Sequence, residues 1–224
     1  MTKRISVLIP AYNEEGKIGK VISELKNQNE SLDIIVVDDG STDKTYEEAR
    51  AKGVTVLKHH LNFGQWAALR TAFAVVLMKD DEYIITLDAD GQHSPENLEK
   101  VLRPLKDGVS DIVIGSRFLN EEEPTMSLYR FFGIKFFNIL MQLRTGVAFT
   151  DCTSGFKASK RWVSEQMLPE ITENQYGALE SLIVSSRNGA KIIEVPIDAI
   201  DSSVSNKGGI KYGYHLLRTI FKTI

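Results

Sequence analysis

Two aspartates flanking one small residue, Asp88-Ala89-Asp90, carry the most pointed chemistry in this chain. Carboxylates crowded at that spacing repel each other, and a divalent cation relieves the repulsion. A cation so held can bridge a diphosphate. Gln92 adds a neutral oxygen two positions further on. The all-oxygen set Asp88, Asp90 and Gln92 suits Mg²⁺ or Mn²⁺ better than zinc. By itself the triplet reads more readily as a solvated loop with a helix-capping acid, so its position decides. A second acidic pair, Asp38-Asp39, precedes Gly40-Ser41. An acid there can accept hydrogen bonds from a ribose or a base N–H. It can also cap the next helix, a task open to Thr42 or Asp43 as well. Tyr12-Asn13-Glu14 forms a third polar group.

Each group follows a short apolar run. Ile5 to Ile9, Asp33 to Val37, Val54 to Leu57, Tyr83 to Leu87 and Asp111 to Ile114 read as buried strands. Between them lie helical spacings: Gly16 to Lys26, a helix to about Ala51, Gly64 to Met78, and Ser94 to about Leu105 with Pro95 in its first turn. Strands alternating with helices predict an α/β fold, a mostly parallel sheet with helices on both faces. Ligands of such sheets bind at the carboxyl ends of strands. The three acidic groups fall at those ends, which predicts one shared crevice and favours the cation reading of Asp88 and Asp90. Pro-Ala-Tyr-Asn-Glu, not a glycine-rich loop, follows the first strand. That argues against a dinucleotide-binding dehydrogenase and a P-loop nucleotidase.

The second half differs. Thr125 to Thr145 is apolar and basic, with Arg130, Lys135 and Arg144 and no acid. A helix near Ala178 to Asn188 and a strand from Ile192 to Val195 follow. The tail, Gly208 to Ile224, interleaves Lys211, His215, Arg218 and Lys222 with apolar residues. Both basic stretches have the pattern of helices lying in a membrane interface, or of helices packed on the sheet. The net charge of −3 argues against a nucleic-acid partner. The lone cysteine, Cys152, reads as a small buried hydrophobe. No run approaches the ~18 apolar residues of a spanning helix.

The segments PAYNEE (10–15), VVDDGSTD (36–43), HHLNFGQWAAL (59–69), LDADGQH (87–93), GSRF (115–118), DCTSGFKA (151–158) and EVPI (194–197) occur in this order. Together they resemble the family 2 glycosyltransferases of the GT-A fold, most of all the dolichyl- or polyprenyl-phosphate mannose and glucose synthases. The resemblance implies one catalytic domain over 1–224. Its donor half would be 1–120, its acceptor-side half 121–207, and its amphipathic C-terminal helix 208–224. It implies an inverting, metal-dependent transfer of a hexose from a GDP-mannose or UDP-glucose type donor to dolichyl or polyprenyl phosphate. Pro10, Tyr12, Glu14, Asp38, Asp39, Asp88 and Ala89 would line the donor pocket. Asp88, Asp90 and Gln92 would hold Mg²⁺ or Mn²⁺. Arg117 would bind phosphate, Arg130 would meet the acceptor phosphate, and Asp151 would be the acceptor-side acid. Lys207 would close over the donor phosphates. The partners implied are the nucleotide sugar, the lipid phosphate, a membrane surface and a membrane-anchoring subunit, with the protein peripheral at the cytoplasmic membrane face.

The chain departs from the family pattern in two places. Ser202 stands where an arginine is expected, and Gln65 replaces a common lysine. Transfer to a glycan or protein hydroxyl, or a non-catalytic nucleotide-sugar module, are the alternatives.

Overall fold

A computed structural model describes residues 4–28, 31–92, 94–120, 128–198 and 210–223. Lys207 and Ser202 lie outside the described residues, as does the side chain of Arg130. The first strand, β1 (Ile5–Ala11), shows why the sheet forms. Val7 and Ile9 fill the core on one face and Leu8 fills it on the other, all fully buried. A strand covered on both faces needs such an unbroken apolar run. β2 (Leu32–Asp38), β3 (Thr55–Lys58), β4 (Tyr83–Thr86), β5 (Ile112–Ser116), β6 (Lys157–Lys160) and β7 (Ile192–Pro196) complete a seven-stranded sheet in the order β3-β2-β1-β4-β6-β5-β7.

The sheet is mixed. β6 runs antiparallel to both neighbours, β4 and β5, while the other pairings are parallel. The sequence reading expected no strand at β6. Lys-Ala-Ser-Lys has one apolar residue, Ala158, and pairing with two finished strands supplies what local pattern does not.

Helices α1 (Ile18–Lys26) and α4 (Leu98–Lys106) pack on one face, and α3 (Gln65–Val76) packs on the other. α2 (Thr45–Ala51) begins later than expected. Thr42 bonds Asn13 instead of capping it, while Asp43 accepts the Thr45 N–H at 3.0 Å. A short 3-10 turn, Pro95–Asn97, precedes α4 where one continuous helix was expected. α5 (Leu128–Thr145), α6 (Arg161–Met167), α7 (Gly177–Arg187) and α8 (Ile210–Lys222) complete the molecule. Phe137 and Met141 of α5 and Leu216 and Ile220 of α8 share a core with Ile112 and Ile114 of β5.

Candidate active site

Strand order reverses at β1, with β2 and β3 to one side and β4 to the other. Loops leaving the carboxyl ends of strands diverge at such a point and open a crevice. Six of the expected donor residues line it, Pro10, Tyr12, Glu14, Asp39, Asp88 and Ala89, together with the expected metal ligand Asp90. Asn62, Gln65 and Gln175 also line it, and the sequence reading gave none of them a role.

The loops are laced together before any ligand arrives. Asn13 takes a left-handed φ of 54°, which asparagine tolerates. Its N–H donates to Ser41 Oγ at 2.9 Å, and its Oδ1 accepts the Thr42 N–H at 2.9 Å. Glu14 N–H donates to Thr45 Oγ1 at 2.7 Å. The Glu14 carboxylate meets Lys17 Nζ at 2.8 Å, and that hydrogen bond raises the lysine pKa.

The two acids after β2 have different tasks. Asp38 does not line the cleft. It is fully buried, its Oδ1 accepts the Ser41 N–H at 3.1 Å, and its Oδ2 lies 3.7 Å from Lys58 Nζ. Asp39 faces the cleft and organises the β3–α3 loop. Its carboxylate accepts the Phe63 N–H at 3.1 Å and the Gly64 N–H at 2.7 Å. His59 Nδ1 lies within hydrogen-bonding distance of it, at 2.7 Å.

Asp88 Oδ1 accepts the Gln65 Nε2–H at 2.6 Å, and Asp90 Oδ1 accepts the Gln92 N–H at 3.0 Å. The backbone of Gly155 passes so close that a Cβ there would sit 2.4 Å from Asp88 Oδ2. Among the described residues, no three His, Cys, Asp or Glu side chains gather as a metal-holding group. Asp88 and Asp90 line the cleft, the expected ligand Gln92 is not among the lining residues, and two carboxylates are too few to enclose a cation. They are the kind of set Mg²⁺ or Mn²⁺ uses when a diphosphate supplies further oxygens, so the residues fit the ion on that condition.

On the other side of β6 the chemistry changes. Asp151 is buried in a two-pronged ion pair with Arg117, Nε to Oδ2 at 2.7 Å and Nη2 to Oδ1 at 2.9 Å. The expected phosphate binder and the expected acid therefore come together as one pair, and neither is among the cleft-lining residues. Glu194 accepts the N–H groups of Thr150 (2.6 Å) and Asp151 (2.9 Å) and so shapes this turn. Burial pushes its pKa up. Lys157, on β6, is electrostatically coupled to Asp151 and Asp88, but burial dominates and lowers its pKa to about 8. Cys152 is fully buried and its thiol pKa is pushed up by burial, as expected of a packing residue. Glu194 lay within a motif without a role, whereas nothing local marked Gln175.

The family model Glycosyl transferase family 2 matches residues 6–168. An uncharacterized protein of Methanocaldococcus jannaschii is 36% identical over 95% of this chain and 89% of its own length. The UDP-N-acetylglucosamine–dolichyl-phosphate N-acetylglucosaminyltransferase of Methanococcus voltae is 32% identical over 92% of this chain and 90% of its own. The undecaprenyl-phosphate 4-deoxy-4-formamido-L-arabinose transferase of Salmonella typhimurium is 33% identical over 74% of this chain, which spans about half (51%) of that protein. Among solved structures, glucosyl-3-phosphoglycerate synthase of Mycobacterium tuberculosis, in complex with Mn²⁺, UDP and phosphoglyceric acid, superposes with a TM-score of 0.78. At 20% identity, over 99% of this chain and 78% of its own, that likeness shows the shared fold. Fold, cleft position and family match converge: this chain belongs to glycosyl transferase family 2.

Proposed function

We propose that this chain moves a hexose from a nucleoside diphosphate sugar onto a polyprenyl phosphate of the dolichyl type, with inversion at the anomeric carbon. The observation that carries this reading is the pair Asp88 and Asp90 lining the strand-reversal cleft of a family 2 chain. Two relatives whose names print a lipid-phosphate acceptor support the acceptor class. A uridine donor is favoured over a guanosine one because the Methanococcus voltae relative's name prints UDP-N-acetylglucosamine.

In this reading Tyr12, 46% exposed at the cleft, offers its ring to the base. Asp39 keeps the β3–α3 loop at the cleft wall. Asp88, Asp90 and Gln92 would hold Mg²⁺ or Mn²⁺, which supplies neutralisation of charge on the departing diphosphate. An oxygen of the acceptor phosphate attacks the anomeric carbon. The carbon–oxygen bond to the diphosphate breaks, and its electron pair leaves with the nucleoside diphosphate. A phosphate monoester has a second pKa of about 6, so the nucleophile is already ionised at neutral pH. A hydroxyl acceptor would need a carboxylate base. Asp151, locked on Arg117, is poorly suited to that task, which favours the phosphate. Arg130 and Lys207 remain proposed phosphate contacts.

A membrane surface is the proposed second partner. Leu128, Phe132, Phe136, Ile139 and Leu143 recur at helical spacing along α5 and are 49–79% exposed. Tyr214 and Phe221 are exposed on α8, beside exposed Arg218 and Lys222. Each basic residue adds about 1 kcal/mol of attraction to an anionic leaflet. Among the described residues no helix is long and apolar enough to cross a membrane. On the strength of the exposed apolar and basic faces of α5 and α8, we propose a peripheral protein at the inner membrane face, with a membrane-anchoring subunit as a further partner.

The experiment is a screen of radiolabelled UDP- and GDP-sugars against polyprenyl phosphate in anionic vesicles, with Mn²⁺ or Mg²⁺. The reading expects metal-dependent, organic-extractable label. Label that enters only glycan or protein overturns it.

A further inference from the structure

We propose that Gln65 is a positioning residue for Asp88, and that Gln175 seats Gln65. This deepens the donor reading above and rests on it. Gln65 is the first residue of α3, where a helix leaves backbone N–H groups without an internal partner. Gln175 Oε1 accepts the Gln65 N–H at 3.0 Å, and the Gln65 side chain donates from Nε2 to Asp88 Oδ1 at 2.6 Å. One contact therefore satisfies the helix end and aims the side chain that holds the carboxylate.

The surroundings are built for this approach. Gly64 has φ 107°, and a Cβ there would lie 2.6 Å from Gln175 Oε1 and 2.7 Å from the Asn174 carbonyl. Only glycine admits the Asn174–Gln175 segment so closely. Asn174 in turn accepts the Ala67 N–H at 2.9 Å. Across the carboxylate, the bare backbone of Gly155 backs Asp88 Oδ2. The Asp88 carboxylate is held between an amide and a glycine.

The chemical consequence lies in the charge of the partner. An amide N–H orients a carboxylate and leaves its charge intact for a cation. Outer partners of this kind set metal affinity by fixing the ligand's orientation.

The segment that carries Gln175 is itself anchored. Glu180 accepts the N–H groups of Thr172 at 3.0 Å and Glu173 at 2.9 Å. Lys222 of α8 donates to Thr172 Oγ1 at 3.1 Å, and Tyr176 stacks on His215 of α8 at 5.1 Å.

The test is Mn²⁺ titration of the full chain with saturating UDP, and in parallel GDP, followed by calorimetry and by the Mn²⁺ paramagnetic signal. Gln65→Leu should weaken Mn²⁺ binding by about ten- to a hundred-fold. Gln175→Ala should weaken it in the same direction. The decisive arm is the double-mutant cycle, because only groups that act together fail to add. In an Asp88→Asn background, Gln65→Leu should cause no further loss. Unchanged Mn²⁺ affinity in Gln65→Leu, or an equal loss with and without Asp88, overturns the inference alone. Wild-type protein that binds Mn²⁺ with neither nucleotide overturns the donor reading and this inference with it.

Discussion

The carboxylates on the two sides of β6 are held by different kinds of partner. On the side proposed to hold the donor, hydrogen bonds from neutral N–H groups reach Asp88 and Asp90. On the side proposed for the acceptor, a guanidinium grips Asp151 with two prongs, and both side chains are buried. A neutral donor orients a carboxylate and keeps its charge; an arginine orients it and cancels the charge. One side thus keeps negative charge ready for a cation. The Asp151–Arg117 pair carries no net charge of its own, which in the proposed function lets it stand near an anionic acceptor without repelling it.

The sharpest way to break this contrast is to make the same change on each side. Asp151→Asn should cost about 3–5 kcal/mol of unfolding free energy, because it strands a buried guanidinium. Asp88→Asn should cost less, about 1–2 kcal/mol, since Gln65 bonds it as a neutral amide and the charge it faces is Lys157, not a two-pronged guanidinium. Urea unfolding measures both, and equal costs would erase the distinction. The fraction of Asp151→Asn that folds should retain measurable transfer to lipid phosphate. Replacing the pair together, Arg117→Met with Asp151→Leu, should recover most of the lost stability.

A second test uses pH. Lys157 has its pKa lowered by burial to about 8 from 10.5. Its ammonium therefore opposes folding below pH 8, and the opposition fades as pH rises through 8 toward 10.5. Lys157→Met removes this dependence. Its stability advantage over wild type should be largest at pH 7 and should shrink by pH 10, as followed by unfolding at each pH. A constant difference would remove Lys157 from the electrostatics of both sides.

Smaller effects concern the outer surfaces. Phe132→Ser or Ile139→Ser should each lower partitioning onto anionic vesicles by about ten-fold, as loss of an inserted apolar side chain requires. Flotation reads this, and unchanged binding would assign the α5 face to another partner. Tyr176→Ala, which loosens the Gln175 segment from α8, should weaken Mn²⁺ binding with UDP by about five-fold. No change would confine the positioning of Asp88 to the cleft itself.

The donor side was legible in the sequence for a physical reason. Its acids directly follow buried strands, and a strand followed by polar residues is a local signal, readable at Ile5–Ala11 and Tyr83–Thr86. The acceptor side was readable only as residue types. Arg117 and Asp151 were both singled out, yet their union joins positions 34 apart and needs β6, whose Lys-Ala-Ser-Lys carries no strand pattern. Gln175 reaches Gln65 across 110 residues, a contact that only the folded chain creates. Asp38 and Asp39 looked alike in sequence. Both are buried, but only Asp39, one residue past the end of β2, lines the cleft.

The most direct measurement follows radiolabelled nucleotide-sugar turnover by wild type and by folded Asp88→Ala and Asp90→Ala chains, with chelator and with Mn²⁺ added back. Wild-type turnover that stops with chelator and returns with Mn²⁺, and variants that stay inactive throughout, is the predicted outcome. Folded variants that still bind and turn over donor in chelator would contradict it.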